Sequence, residues 1–323
     1  MDSNDTTYLT EIIDEVVSKT NLDPTGLVRS KANDIVIPAS GETAIDISTA
    51  RCVLQDDVLL GGDLTIIRLF NQDGRFFSYQ LNGVRKKDIA RIAHGVSIVH
   101  LHGNALSHIT VNYPSRSEQE KISSLLSLID QRIAIQNKVI EKYESLIKAL
   151  AYEIIGKNLP NTTLTECVKC STSILKESDL TEAGRVPSYG ASGISGFTDN
   201  ALSQGDSILV TKDGSGVGTL RYVYGSHSFV GTLNSMTPKE GVYLPYIYYA
   251  LQNVSFERYR TGQAIPHIYF KDYGKVTIYC PAFDDQKRLA KVLEMIDAKI
   301  GIERTNLKNL QSLKAYLLSA MLI

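Results

Sequence analysis

Three short stretches of the chain hold residue types able to do chemistry. Lys212-Asp213-Gly214-Ser215-Gly216 places a cation, a carboxylate and a hydroxyl on a glycine-rich turn after an apolar run. Such a loop lets its backbone approach a ligand closely, or simply closes a tight hairpin. Cys167-x-x-Cys170 has no second Cys or His pair at finger spacing, so ordinary surface or core thiols are a better reading than zinc. His100-x-His102 would point two imidazoles the same way from a strand. His267 repeats only His100 at the offset described below, so a shared structural hydrogen bond is preferred to a metal site. The Asp213 glycines do not complete GxGxxG, and no phosphate-binding Gly-Lys-Ser/Thr occurs. The Asn/Asp-Pro-Pro-aromatic motif of an adenine methyltransferase and clustered acidic metal ligands are also absent. No catalytic residue, bound cofactor or metal ligand is therefore assigned to this chain.

The elements that must position these loops are dominated by a duplication. Residues 117–155 and 284–322 align without a gap at an offset of 167: Gln119 falls on Gln286, and Ile129-Asp130 on Ile296-Asp297. The register extends upstream, where Gly95, Ile98, His100 and Pro114 fall on Gly262, Ile265, His267 and Pro281. Heptads run through both copies. Leu126, Ile133 and Ile140 occupy a positions, with Ile122, Ile129 and Gln136 at d. The second copy has Leu293, Ile300, Leu307 and Lys314 at a, with Leu289, Ile296 and Glu303 at d. Ser117 with Glu120 reads as a capping box, Asp284 takes the equivalent N-cap, and Gly156 with Pro160 ends the first helix. A narrow a/d stripe needs a partner. The expected arrangement is an intramolecular antiparallel coiled coil rather than two helices packed separately on two domain cores, with Gln136 and Glu303 at one level.

Charge is nearly balanced, 34 Lys and Arg against 35 Asp and Glu, which argues against a general polyanion binder. The amino terminus has no apolar signal core and no stretch reaches membrane-span length, so a soluble cytoplasmic protein is expected. Outside the helices, short β-branched runs alternate with turn residues in two series that correspond, Asp34–Ile37 with Asp206–Val210 and Gly62–Leu64 with Gly231–Leu233. The expected fold class is α+β. Two mixed α/β domains, 1–114 and 158–282, alternate with long helices in 115–157 and 283–323.

This pattern resembles the DNA specificity subunit of type I restriction-modification systems. The resemblance rests on Pro114, Glu118-Gln119, Ile122, Leu126, Ile129-Asp130 and Ile133, recurring as Pro281, Gln286, Leu289, Leu293, Ile296-Asp297 and Ile300. VPSYGASGISGF followed by GDSILVTKDGSGVGTL also looks like a common variety of recognition domain. The resemblance implies a non-catalytic reader of double-stranded DNA. Its two target recognition domains would read two half-sites, held apart by the helices as a ruler. It implies docking of two modification subunits, which bind S-adenosylmethionine and methylate adenine, and of restriction subunits that use ATP and Mg to translocate and cut. Partner docking and the coiled coil would involve Ile122, Leu126, Ile129, Ile133, Gln136, Ile140, Leu289, Leu293, Ile296, Ile300, Glu303 and Leu307. The competing readings are a stand-alone methyltransferase or nuclease built on the Asp213 loop, and a coiled-coil adaptor.

Candidate base readers follow from donor chemistry. Lys212 and Ser215 lie on the glycine-rich loop; Tyr189, Gly190 and Ser192 form a second loop that could equally be ordinary. Arg258, Arg260 and Gln263 surround Gly262, where a solvated helix end is the alternative. In the first domain Ser40, Glu42 and Thr43 occupy the place of the Lys212 loop, with a capping or turn role the simpler reading. Only 32 residues precede Asn33-Asp34, and nothing there matches Tyr189–Phe197. The first domain therefore looks shortened. It is expected to expose a sheet edge, to be most mobile over residues 1–30, and to read its half-site poorly unless another polypeptide completes it.

Overall fold

The computed structural model describes residues 10–21, 23 and 25–322. The chain divides into two compact units, residues 1–138 with 304–323, and residues 139–303. Both divisions fall inside the long helices, so each unit takes one globular part and about half of each helix.

In the first unit, β1 (Ile12–Ile13), β2 (Asp34–Pro38), β4 (Arg51–Val53) and β5 (Leu64–Ile67) form a sheet in the order β1-β4-β2-β5, while β3 (Ser40–Gly41) pairs with β6 (Val99–His100). The wholly buried β2 is apolar from Ile35 onward because it is central, with Ile35 opposite both Cys52 and Ile67. Four helices flank it: α1 (Ala44–Ile47), α2 (Gly74–Asn82), α3 (Lys86–Ile92) and α4 (Gly103–Leu106). Asp73 caps α2 by accepting from the Arg75 N–H. Gly74 is obligatory there, since a Cβ would come 2.3 Å from the Asn33 carbonyl oxygen. Phe76, Tyr79, Ile89 and Leu101 close the core over β2.

The second unit repeats this plan and adds to it. Its main sheet is ordered β13-β12-β15-β8, from β13 (Leu220–Val223), β12 (Ser207–Thr211), β15 (Leu233–Pro238) and β8 (Val168–Thr172). Ile208 on β12 stands opposite Tyr222 and Met236, the register of Ile35 against Cys52 and Ile67. A second sheet, β10-β9-β14-β11, is built from β10 (Gly193–Thr198), β9 (Val186–Gly190), β14 (Ser226–Phe229) and β11 (Ser203–Gln204). β7 (Thr162–Thr163) pairs with β16 (Thr277–Ile278), and α6 (Leu164–Cys167), α7 (Leu244–Leu251) and α8 (Phe270–Tyr273) complete the unit.

The two units differ where the sequences do. The β11–β14 pairing has a first-unit counterpart in the bridge Arg29–Leu59. The β9–β10 hairpin and β8 have none among the described residues, leaving β5 as a sheet edge. On the opposite edge the first unit gains β1, running parallel to β4, which the sequence patterning did not suggest. The expected mobility of residues 1–30 falls in part on residues 1–9, which lie outside the described residues.

The long helices are α5 (Arg116–Ala151), ending in a π turn at Tyr152–Gly156, and α9 (Phe283–Met321). Both start earlier than Ser117 and Asp284 would allow as caps. The N–H groups of Glu118 and Gln119 point at the Ser115 carbonyl, and that of Gln286 at the Ala282 carbonyl. Asp284 lies in the first turn, where its charge still suits the helix dipole. The start is fixed by a buried glutamine in each copy. Gln119 Oε1 accepts from the Asp73 N–H at 3.0 Å, and Gln286 Oε1 from the Tyr243 N–H at 2.8 Å. Each therefore satisfies an orphan donor at the start of α2 or α7, and each donates back to the proline carbonyl five residues earlier.

In each unit the helix halves run antiparallel. In the first, Leu126 shares a core with Leu322 while Asp130, one turn later, pairs with Lys314. In the second, Ala151 and Ile155 share a core with Ala290 and Leu293, and Tyr143 lies close enough to Lys299 to act on its charge. The buried face is wider than an a/d stripe. Ser123 and Asp130, each one place after a d residue, are buried beside Ile122, Leu126 and Ile129, because the helix starts also close the domain cores. Lys314, at an a position, is held between Asp130 and Glu11, each at 2.7 Å, with its ammonium 5.6 Å from the Tyr79 ring centre.

Candidate nucleic-acid interface

In the second unit, two chain segments meet at the end of β12. The Lys212 N–H donates to Thr232 and its carbonyl accepts from Ile268, each at 2.9 Å. Gly214 N–H reaches the Pro266 carbonyl at 3.0 Å, and Gly218 N–H closes the loop onto Thr211 at 2.8 Å. The second segment is a hairpin tied by reciprocal hydrogen bonds between Thr261 and His267. Asp213 Oδ1 lies 2.6 Å from His267 Nδ1 and fastens the two together. The rim formed in this way carries Lys212, exposed Ser215 and exposed Gln263. Arg258 and Arg260 sit on the run leading into the hairpin; Arg258 stacks on Tyr259 and Arg260 pairs with Glu257 at 3.1 Å. Rim cations of this kind suit phosphate and base-edge contacts.

The β9–β10 hairpin is less open than its sequence suggests. Tyr189 packs into a small core with Leu209, Val223, Phe229 and Leu233, edge-on to His227. Its ring is therefore committed to packing rather than free to stack on a base. Gly190 is buried, and a Cβ there would stand 2.3 Å from Ser195 Oγ, so its smallness serves the sheet. Ser192 remains exposed at the turn. Sequence reading missed Arg221, whose guanidinium lies 3.9 Å from the place a Cβ on Gly193 would take and has no ionic partner among the described residues. Only the pairing of β13, which turns Arg221 to the side of Val223, identifies it.

The first unit builds the same junction with different groups. Ala39 takes the place of Lys212, accepting from the Leu101 N–H and donating to Asp63. Ser40 takes that of Asp213, opposite His100, and its hydroxyl donates to Asp63 at 2.6 Å. Thr43 is the N-cap of α1, accepting from the Asp46 N–H, so its hydroxyl is committed to the helix. Glu42 is exposed. His94, His100 and His102 line this rim, with ring centres 5.9 Å apart for His94 and His102 and 6.5 Å for His100 and His102. The shared element predicted for His100 and His267 is present as backbone pairing. Gly95, with φ +138°, makes this turn possible.

The cysteines do not act as a pair. Cys167 is buried against Cys280, whose thiol hydrogen bond holds the Cys167 thiol below its usual range, while Cys170 faces Tyr273. Among the described residues no cluster of His, Cys, Asp and Glu is fit to hold a metal, and no helix is long and apolar enough to cross a membrane.

The a/d residues proposed for docking are mostly turned inward. Leu126, Leu293 and Ile300 are buried, as are Ile122, Ile129, Ile140 and Glu303; Ile133, Gln136, Leu289, Ile296 and Leu307 are half-buried. The apolar residues left exposed form a different set. Leu125, Leu128, Ile135 and Leu146 are exposed, and so are Val292, Met295, Ile302 and Leu313, each 167 residues on. One such group of four lies in each unit: Leu125, Leu128, Ile135 and Leu313 in the first, and Val292, Met295, Ile302 and Leu146 in the second.

Known proteins give this arrangement a family. The structure is similar to a type I restriction-modification S subunit from M. genitalium, with 21% identity and a TM-score of 0.65 over 90% of this chain and 83% of that one. A structure described for complex assembly and conformational transition of a type I R-M system is similar at 15% identity and a TM-score of 0.54, over 90% of this chain and 82% of that one. No curated protein sequence matches the chain. The family model for the type I restriction modification DNA specificity domain matches twice, over residues 5–145 and 162–312, once for each repeat. With nearly its whole length accounted for by two copies of that domain, the chain belongs to the type I restriction-modification DNA specificity family.

Proposed function

We propose that the chain is the sequence-reading, non-catalytic subunit of a type I restriction-modification complex in the cytoplasm. It reads a bipartite double-stranded DNA target and directs adenine methylation and cleavage by its partners. The observation that carries this reading is the exposed apolar set repeated at an offset of 167 on the long helices, one set per unit. Two chemically equivalent seats suit two copies of one partner, as a modification subunit would be. Large apolar side chains left exposed along a helix are a usual mark of a protein contact. DNA meets the Lys212–Gln263 rim of the second unit, and more weakly the Ser40–Glu42 rim of the first, which has alanine in place of the lysine. S-adenosylmethionine, ATP and Mg belong to the partners. Against the stand-alone enzyme reading stand the missing Asn/Asp-Pro-Pro-aromatic motif and the duplicated scaffold.

Reconstitution tests the proposal. The chain with S-adenosylmethionine and DNA transfers no methyl group, and adding modification subunit starts transfer at a 2:1 ratio. Leu128→Glu and Met295→Glu each remove one copy, since a charge on an apolar contact costs several kcal/mol. Turnover by the isolated chain, or an unchanged ratio in both variants, refutes it.

A further inference from the structure

The second unit contains a cavity of about 550 Å³ to which the specificity function assigns no role. Its walls include Tyr222, Tyr224 and Tyr243, with carboxylates from Asp206 and Glu294 and a floor at Pro245. Tyr222 and Tyr224 rings stand 4.8 Å apart, and Tyr224 is 79% exposed at the mouth. The phenols hold the carboxylates in place: Tyr222 donates to Asp206 at 2.9 Å and Tyr243 to Glu294 at 3.0 Å. Asp206 also accepts from the Gly225 N–H. Neither carboxylate is paired with a cation among the described residues. Burial first, and then these carboxylates, push the Tyr222 and Tyr243 phenols up, so the rings stay neutral beside a negative potential.

The first unit shows what the corresponding corner holds when it is closed. The registers of β4 with β13 and of α2 with α7 put Cys52 at the place of Tyr222, Asp73 at that of Tyr243 and Arg75 at that of Pro245. There the chain provides its own guanidinium. Arg75 forks onto Asp73 at 2.8 and 3.1 Å, and Ser123 donates to the same carboxylate. In the second unit proline removes that arginine, and the acceptors move to Asp206 and Glu294 around an open space.

We propose that this cavity is a seat for an arginine side chain of a partner polypeptide. The planar guanidinium lies against a tyrosine face and forks onto carboxylates, a fit that an ammonium matches less well. DNA, a polyanion, is repelled by the same groups. The inference goes beyond the DNA-reading assignment, and its test contains no DNA.

The test uses the full chain with ring-labelled tyrosine, titrated with the tripeptide acetyl-Gly-Arg-Gly-amide. The control is the same peptide with citrulline, a neutral isostere. The arginine peptide shifts the Tyr222, Tyr224 and Tyr243 resonances, and the citrulline peptide leaves them in place. Glu294→Gln keeps an acceptor for Tyr243 and weakens binding about tenfold, the scale of one charge-assisted contact. Tyr224→Leu, at the exposed mouth, weakens it by a similar factor. Equal shifts with citrulline, no shift in these three rings, or unchanged affinity in both folded variants overturns the proposal.

Discussion

Lys314 offers the sharpest test of how the first unit is held together. Its ammonium is 2.7 Å from both Glu11 and Asp130, and its side chain is only 16% exposed. At an effective dielectric of about 20, each contact has a gross Coulomb energy of about 6 kcal/mol. Desolvation offsets most of this, but removing the cation alone leaves two carboxylates facing each other. Breaking a buried pair in this way costs about 3–5 kcal/mol. The first copy of the helix has Ile147 at this position, so Lys314→Ile is the natural substitution. It should lower the melting temperature of the first unit by roughly 6–20 °C, at about 2–4 °C per kcal/mol, and leave the second unit's transition in place. Adding Asp130→Asn should recover at least half of the loss. Burial works to lower the lysine, but Glu11 and Asp130 outweigh it and its folded value is raised. The contribution is therefore complete below the unfolded value of about 10.4 and lost only as pH rises through the folded one. The gap between parent and variant should be flat from neutral pH to about 10. Calorimetry showing the first transition unmoved, or the second moved instead, would refute the reasoning.

Three further outcomes follow from the geometry. Tyr79 donates to buried Asp130 at 2.7 Å and Tyr249 to exposed Asp297 at 3.3 Å; in denaturant titrations Tyr79→Phe should cost about 1.5–3 kcal/mol and Tyr249→Phe about 0.5–1. Burial tends to raise Asp34, but the Arg68 fork and the Lys31 N–H outweigh it and hold its carboxyl below the usual range. Its contribution is present above about pH 3.9 and lost as pH falls through the folded value, so Asp34→Asn should flatten the acid limb of the melting curve. Exchanging residues 158–281 for a relative's should change one half-site by methylation mapping and spare the other, whereas adding one heptad to both helices, about 10.5 Å, should alter only the tolerated gap.

Much of this architecture was legible because it is written twice. A matched Gln119 and Gln286 announced a repeated contact, although its nature, capping a different helix across the chain, needed coordinates. The heptads located the long helices but hid their second task, since Ser123 and Asp130 are buried on a face that heptad counting assigns to solvent. The error at Ser117 has the same origin: tertiary hydrogen bonds outweigh a local capping signal worth about 1 kcal/mol. Tyr189 reads as a loop residue in the sequence, yet its ring packs inward, because a β-hairpin's inner and outer faces cannot be told apart without knowing its partner sheet. The parallel β1 was invisible, as two residues carry no periodicity. The exposed apolar quartets were readable in hindsight, because they repeat at the same offset as the buried seam.

The division of the chain in the middle of both long helices has a consequence for inheritance. The second unit is one uninterrupted stretch, 139–303, and its two ends lie at nearly corresponding points of the repeat. Two genetic crossovers, one in the codons near Lys138 and one near Glu303, would replace an entire reader together with its own share of both helices. Neither joint would cut through a folded core, and each would rejoin helix to helix in phase. A gene of this design can therefore acquire a new target recognition domain by recombination between relatives without any step through a misfolded intermediate sequence.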